Sequence, residues 1–599
     1  MSRWMVAAKR ADFDAIAKRY HISPVLARII RNRDVIEDRE IDKFLNGTQK
    51  DLYAPGLLKD LDRAVQLLRE KIAAAKRIRI IGDYDIDGIC STYILFRGLT
   101  ACGAQVDSAI PHRIRDGYGL NEHLIQEAYD AGTDTVLTCD NGIAAYEQIE
   151  MANALGMTVI VTDHHEVPYD EVDVKRQYRV PRASAVVDPK QEDCAYPFPE
   201  ICGAVVAYKL MLALIAEQEH TDWQHVMVSE IGLELLEFAA FATIGDVMEL
   251  RDENRIIVKS GLALMANTRN MGLKALIQAT GTDPAHIKPY TVGFVLGPCL
   301  NATGRLDTAL NALELFQTSD IDRAAMLAGD LKAMNDSRKE LTLKGVEEAV
   351  AQIEQTGLAS DRVLVVYLPE VHESLAGIIA GRIREKYCKP VFVLTRAEEG
   401  VKGSGRSIDA FHMYDELTKC KELFTKYGGH KLAAGLSLDE ENVPELRRRL
   451  NENCNLTEED FEEKVLIDVP MPMAYASFEF IAELEKLEPF GNGNPKPQFA
   501  QKNVRFVSGK VLGANRNVGK YVVEDENRRR YDLIYFGDIE GFHAYVAAKY
   551  GTAALDRLYR TETAGQDTGE EIVLSVVYYP DINEYRGNVS LQMVMKYYQ

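Results

Sequence analysis

At 599 residues the chain is far longer than one hydrophobic core can organise, so about three to five domains are expected. Its composition, 46% apolar and 27% charged, is that of a globular protein, and no apolar run nears the roughly 18 residues needed to cross a bilayer. The net charge of −21 argues against non-specific wrapping of nucleic acid, which needs a basic footprint, while a local basic channel on an acidic body stays open. The nine cysteines are scattered and never form a CxxC pair, which argues against a zinc ribbon or a disulfide framework. The start of the chain lacks the long apolar segment of a signal peptide, so a cytoplasmic location is the default expectation.

Residues 1–57 read as short helices, with apolar positions three and four apart in 10–19 and 24–31, and form an accessory segment. A helical pattern over 58–75 leads into the strand Arg77 to Ile81, which breaks at the loop GDYDIDG of 82–88. Asp83, Asp85 and Asp87 repel one another unless a cation intervenes, although such spacings also occur in plain turns. A loop at 110–119 with two arginines and two glycines fits a phosphate or an exposed turn.

Thr133 to Cys139 reads as a buried strand ending at Asp140, and Met157 to Thr162 as another ending at Asp163, His164 and His165. Taken alone, that triplet fits a hydrogen-bonded loop better than a metal site. Strand, acid-bearing loop and helix recur three times within about 90 residues, however, which predicts a parallel sheet whose strand ends converge on one crevice. An apolar helix over 235–249 breaks at Gly245 and presents Asp246, an acid that needs a partner.

Four segments, GDYDIDG at 82–88, DNG at 140–142, DHH at 163–165 and GD at 245–246, resemble in order the motifs of the DHH phosphoesterase family. GPCLNATGRL at 297–306 resembles a fifth segment found in the family's single-strand-specific exonuclease branch. The stretch 319–357 reads as a long connecting helix. Beyond it, strands at 362–368 and 390–395, a Gly-Ser-Gly-Arg loop at 402–407 and the glycine-rich 427–435 resemble the DHHA1 substrate-binding domain. Such a loop would offer backbone amides, a hydroxyl and a guanidinium to a phosphate. From about residue 465 five short strands suggest a small barrel, and the resemblance implies an OB-fold for single-stranded nucleic acid. There Tyr578, Tyr579, Tyr585 and Arg586 would contact bases or, equally, fill the core.

The expected architecture is therefore α/β: a DHH domain with a parallel sheet (58–318), a connecting helix (319–357), an α/β DHHA1 domain (358–464) and a C-terminal β-barrel of OB type (465–599). The resemblance implies a 5′-3′ exonuclease that needs two divalent ions, Mn²⁺ or Mg²⁺, and releases 5′-mononucleotides from single-stranded DNA in repair and recombination. It implies that Asp85 binds one ion, that Asp87, His164 and Asp246 bind the second, and that Asp140 bridges them, with Asp87 and Asp140 counted as catalytic. Asp83 and Asp163 would orient ligands, and His165 would face the substrate as a catalytic group.

Arg305 resembles the contact to the scissile phosphate; Arg113, Ser404 and Arg406 resemble a pocket for the 5′-phosphate, and His430 a further substrate contact. Relatives in the pyrophosphatase branch carry a histidine four positions before the counterpart of Asp85. Ile81 stands there instead, so one ion should keep an open or water-filled position. Single-stranded DNA is the implied partner of a monomer, with a single-strand-binding protein and a helicase as further partners to test. The alternative is a phosphodiesterase of the same family acting on short oligonucleotides or cyclic dinucleotides, which would not need the barrel.

Overall fold

The computed structural model describes residues 2–112, 119–172, 175–306, 308–513, 516–560, 571–585 and 587–599. They fall into two compact units: one holds 48–249 and 253–463, the other 2–47, 250–252 and 464–599.

In the first unit, β1 (Arg77–Ile81), β2 (Gln105–Ala109), β3 (Thr135–Cys139), β4 (Thr158–Thr162) and β5 (Ala185–Val187) form a sheet in the order β2-β1-β3-β4-β5. Every pairing is parallel. The apolar runs of β1, β3 and β4 are buried, as strands covered on both faces by helices must be. Helices α1 (Ile86–Ala101), α2 (Gly203–Glu219) and α3 (Glu230–Gly245) are apolar around most of their circumference and bury most of their residues.

Register decides where the loops go. Cys139 stands opposite Thr162, and Thr162 opposite Val187, so three strands end at one level. The Asp140 amide donates to the Thr162 carbonyl at 3.1 Å and the Asp163 amide to that of Val187 at 3.0 Å, which extends the ladder into the acid-bearing loops.

Helix α4 (Gly297–Leu306) leads by way of α5 (Ile321–Gln355), which spans about 52 Å, into a second sheet. Its strands are β6 (Leu364–Tyr367), β7 (Val391–Arg396), β8 (Val401–Arg406), β9 (Phe424–Gly429) and β10 (Ala433–Leu438), in the order β9-β10-β8-β7-β6, with α6 (Ala376–Tyr387) packed on it. The expected loop at 402–407 is instead the strand β8, paired antiparallel with β7 on one edge and β10 on the other. Its glycines answer a packing need: a Cβ at Gly403 would lie 2.3 Å from Leu394, and one at Gly405 2.5 Å from the Met413 sulfur. Because its backbone amides serve the sheet, only side chains of β8 remain for a ligand.

In the second unit, β11 (Phe499–Leu512), β12 (Val518–Glu524), β13 (Arg530–Tyr535), β14 (Val573–Tyr585) and β15 (Asn588–Tyr598) close into a five-stranded barrel. Closure comes from the β11–β14 pairing, and the interior is filled by Phe499, Phe506, Tyr521, Phe542 and Tyr578 among others. The segment 2–47 belongs to this unit: strand Arg3–Val6 runs parallel to Lys464–Ile467, and buried Arg33 grips Asp468 through two hydrogen bonds of 2.6 and 3.2 Å. Two helices, Phe13–Tyr20 and Pro24–Asn32, match the expected amphipathic stretches.

Candidate functional site

The carboxyl edge of the first sheet gathers Asp83, Asp85, Asp87, Asp140, His164, His165 and Asp246. Ligand atoms lie within 4.8 Å of one another in three groups: Asp83, Asp85 and Asp140; Asp87, His164 and Asp246; and Asp140, His164 and His165. His164 Nε2 is 3.2 Å from Asp140, 3.4 Å from Asp87 and 3.8 Å from Asp246.

Local structure explains each placement. Asp85 caps α1, accepting the amides of Asp87 and Gly88 at 3.0 and 3.1 Å. A Cβ at Gly88 would lie 2.4 Å from the Asp83 carbonyl, so the loop folds this tightly only with glycine there. Asp140 takes the left-handed conformation, φ 59°, which turns the chain sharply off β3. Asp163 is fully engaged by protein: one oxygen accepts His165 Nδ1 at 2.7 Å and the His164 amide at 2.8 Å, the other the Ile143 amide at 2.9 Å. It therefore holds the His165 ring and the backbone of His164.

The electrostatics are those of an acid cluster short of positive charge. Burial first, then Asp87, Asp85, Asp83 and Asp163, push the Asp140 carboxyl well above the usual range. Burial and Asp85 raise Asp83 to about 7; burial, Asp87 and Asp85 raise Asp246 to about 8. Asp83 Oδ1 is buried without a hydrogen-bond partner. Among the described residues no lysine or arginine pairs with Asp83, Asp85, Asp87 or Asp246. Burial opposes the charged form of His165, yet its bond to Asp163, with Asp87 and Asp246 beyond, outweighs that and raises it to about 9. Burial lowers His164, which favours the neutral form a metal requires. Oxygen and imidazole donors at these separations fit hard divalent cations.

The structure adds residues that sequence reading missed. Asp87 accepts the amides of Gly203 and Ala204, at 2.7 and 2.8 Å, at the start of α2. A Cβ on Gly203 would lie 2.9 Å from that of Asp140, so the helix approaches this closely only through glycine. No local signal marks that contact. Asp188 follows β5 as Asp163 follows β4; it is fully buried, with Oδ2 unpaired, and burial with the nearby Asp163 raises it to about 7. Its position directly after an apolar VV pair was the available clue.

Arg305, on α4, donates from Nη1 to the Ser374 carbonyl at 2.8 Å, just ahead of α6. A Cβ on Gly377 in the first turn of α6 would lie 2.9 Å from the Arg406 guanidinium and 3.6 Å from Ser404. The structure thus groups Ser404 and Arg406 on the face of β8 beneath the start of α6. His430 lies exposed at the β9–β10 turn, where Arg406 pairs with Ala433. Arg113 lies outside the described residues, as do Arg586 and the side chain of Tyr585. Of the named tyrosines, Tyr578 is a core residue whose hydroxyl donates to the Met471 carbonyl at 2.9 Å. Tyr579 is half-buried under Lys496, whose Nζ stands 3.7 Å from the ring centre.

A parallel sheet that collects acids and histidines at its strand ends, followed by a second α/β domain, has the architecture of the DHH class. The DHH family N-terminal domain matches residues 77–242, the DHHA1 domain 360–456 and the RecJ OB domain 467–597. The single-stranded-DNA-specific exonuclease RecJ of Escherichia coli is 32% identical over 96% of this chain and 95% of its own length. That of Bacillus subtilis is 36% identical over 88% of this chain, which spans 64% of that relative. The crystal structure of RecJ from Thermus thermophilus in complex with Mn²⁺ superposes with a TM-score of 0.78 at 27% identity, covering 100% of this chain and 79% of that one. The chain belongs to the RecJ family.

Proposed function

We infer that the protein is a metal-dependent exonuclease specific for single-stranded DNA, acting 5′ to 3′ to release 5′-mononucleotides in repair and recombination. The observation that carries this reading is the cluster of Asp85, Asp87, Asp140, His164 and Asp246 at one sheet edge in a RecJ-family chain. The Thermus relative has been solved with Mn²⁺ and with Mg²⁺; those five side chains would hold two such ions here, Asp140 between them. Bound divalent ions lower the pKa of water for attack on phosphorus and neutralise the charge that develops on the phosphate.

The remaining steps fall to the protein's own groups. Asp163 fixes the ring of His165, and His165, with 45% of its side chain exposed, donates to a phosphate or leaving oxygen while it is protonated. Arg305 holds the scissile phosphate, and Ser404 with Arg406 the terminal 5′-phosphate, which sets polarity. Tyr290 and Phe294, both exposed and stacked with ring centres 5.0 Å apart, offer a surface for unpaired bases.

Asp140→Ala should abolish Mn²⁺-dependent release of nucleotides from single-stranded DNA, and activity retained in that variant would refute the site. Strands labelled at either end should show loss from the 5′ end only. Replacing Tyr579 and Lys496 by alanine should weaken cleavage of long strands far more than of dinucleotides; equal losses would favour the small-substrate phosphodiesterase. A single-strand-binding protein and a helicase are the protein partners this reading expects, and co-purification from cross-linked cells would test both.

A further inference from the structure

Where α4, α5 and α6 meet, the first unit holds a guanidinium with no counter-charge. Arg338 lies half-buried on α5, one turn past Asn335, whose amide donates to the Cys299 sulfur of α4 at 3.5 Å. Among the described residues no carboxylate pairs with Arg338. Its Nε is buried without a hydrogen-bond partner, and so is Asn335 Oδ1. The nearest charge acting on it has its own sign: Arg382 on α6, which leans on Glu385 at 3.5 Å, repels it, and Lys339 is the next residue along α5.

The same junction carries Arg305, bound from α4 to the Ser374 carbonyl ahead of α6. Helices α5 and α6 are in direct contact, since a Cβ on Gly345 would lie 2.6 Å from Ile379 Cδ1. The nearby acids are taken up elsewhere: Asp336 pairs with Lys332 at 2.5 Å and Glu385 with Arg382 at 3.5 Å, which leaves Arg338 without a carboxylate among the described residues. Packing alone does not account for this, because a buried Nε–H without an acceptor costs stability. An anion brought by a ligand removes that cost, and the guanidinium fork suits phosphate oxygens.

We propose that Arg338 binds a non-scissile phosphate of the substrate strand. This rests on the exonuclease reading, which supplies the phosphodiester. The full-length Arg338→Met variant should lose about tenfold or more in kcat/KM on single strands, and its binding in chelator should show a salt slope shallower by about 0.7. Hydrolysis of the p-nitrophenyl ester of thymidine 5′-phosphate, which has only the scissile group, should be unchanged. In oligonucleotides with one neutral methylphosphonate linkage, a single non-scissile position should slow the wild type and leave Arg338→Met unaffected; Arg338→Lys should be intermediate.

One measurement needs no substitution: single-stranded DNA should protect Arg338 from modification by phenylglyoxal, read by peptide mass. Equal loss on both substrates, unchanged sensitivity at every linkage, or absence of protection would overturn the proposal. A wild type that neither binds nor cleaves single strands would instead remove the exonuclease reading beneath it.

Discussion

Two places in the first unit bury several charged groups, and they are built on opposite principles. Lys209 and Glu253 are each at most 2% exposed and pair at 2.9 Å; Lys209 also donates to the Tyr53 carbonyl at 2.8 Å, and Glu253 accepts the Tyr196 hydroxyl. Every charge there has its counterpart within the fold. At the sheet edge the acids outnumber their partners: Asp83 and Asp188 each keep a buried oxygen with no donor, and Asp140 and Asp246 hold their protons above the usual carboxylate range. Burial of charge is common to both, so it does not identify a site. The missing counter-charge does, because the protein tolerates that deficit only where a ligand supplies the balance.

Perturbing each place should therefore move stability in opposite senses. Glu253→Gln leaves Lys209 buried and unpaired, and should cost about 3–5 kcal/mol in urea unfolding of the first unit. Asp140→Asn, in metal-free protein, should leave stability unchanged or higher; if it falls as Glu253→Gln does, the contrast is wrong. Next in size, Mn²⁺ at a hundred times its Kd should stabilise the wild type by about 2.7 kcal/mol, seen as a thermal shift that Asp140→Asn largely loses. Gly203→Ala should then lower metal affinity about tenfold with an unchanged circular dichroism spectrum, since its methyl presses on Asp140.

The smallest effect should come from a satisfied pair nearer the surface. Burial pushes the Glu234 carboxyl up, but its bonds to Arg97 and Tyr93 outweigh this and hold it below the usual value of 4.5. A depressed folded value means the stabilisation is present above pH 4.5 and is lost as pH falls through the lower value. Glu234→Gln should thus flatten the acid limb below pH 4.5, by less than about 1 kcal/mol because Arg97 is 37% exposed.

The strand-end acids were legible because each follows apolar residues whose burial is local: Ile78, Ile80 and Ile81 before Asp83, Val136 and Leu137 before Asp140, Val159 to Val161 before Asp163. Motif order then tied them to one family. The segment 402–407 misled for an equally physical reason. Glycine at alternate positions signals a loop in a sequence, yet Gly403 and Gly405 are there to let Leu394 and Met413 close on β8. Tyr578 and Tyr579 are neighbours of the same type, and only the pleat of β14 decides that one fills the barrel while the other carries a lysine on its ring.

By itself the sequence determined the parallel sheet, the long helix, the barrel and the identity of the acids and histidines, since hydrophobic period and residue chemistry are written locally. Tertiary structure alone decided which groups share a site. Gly203 reaches Asp87 across 116 positions of chain, residues 2–47 join 464–599, and Arg338 stands without a carboxylate partner among the described residues where three helices meet. Contacts of that kind depend on how elements pack, and packing is settled by the whole core, not by the residues that finally touch.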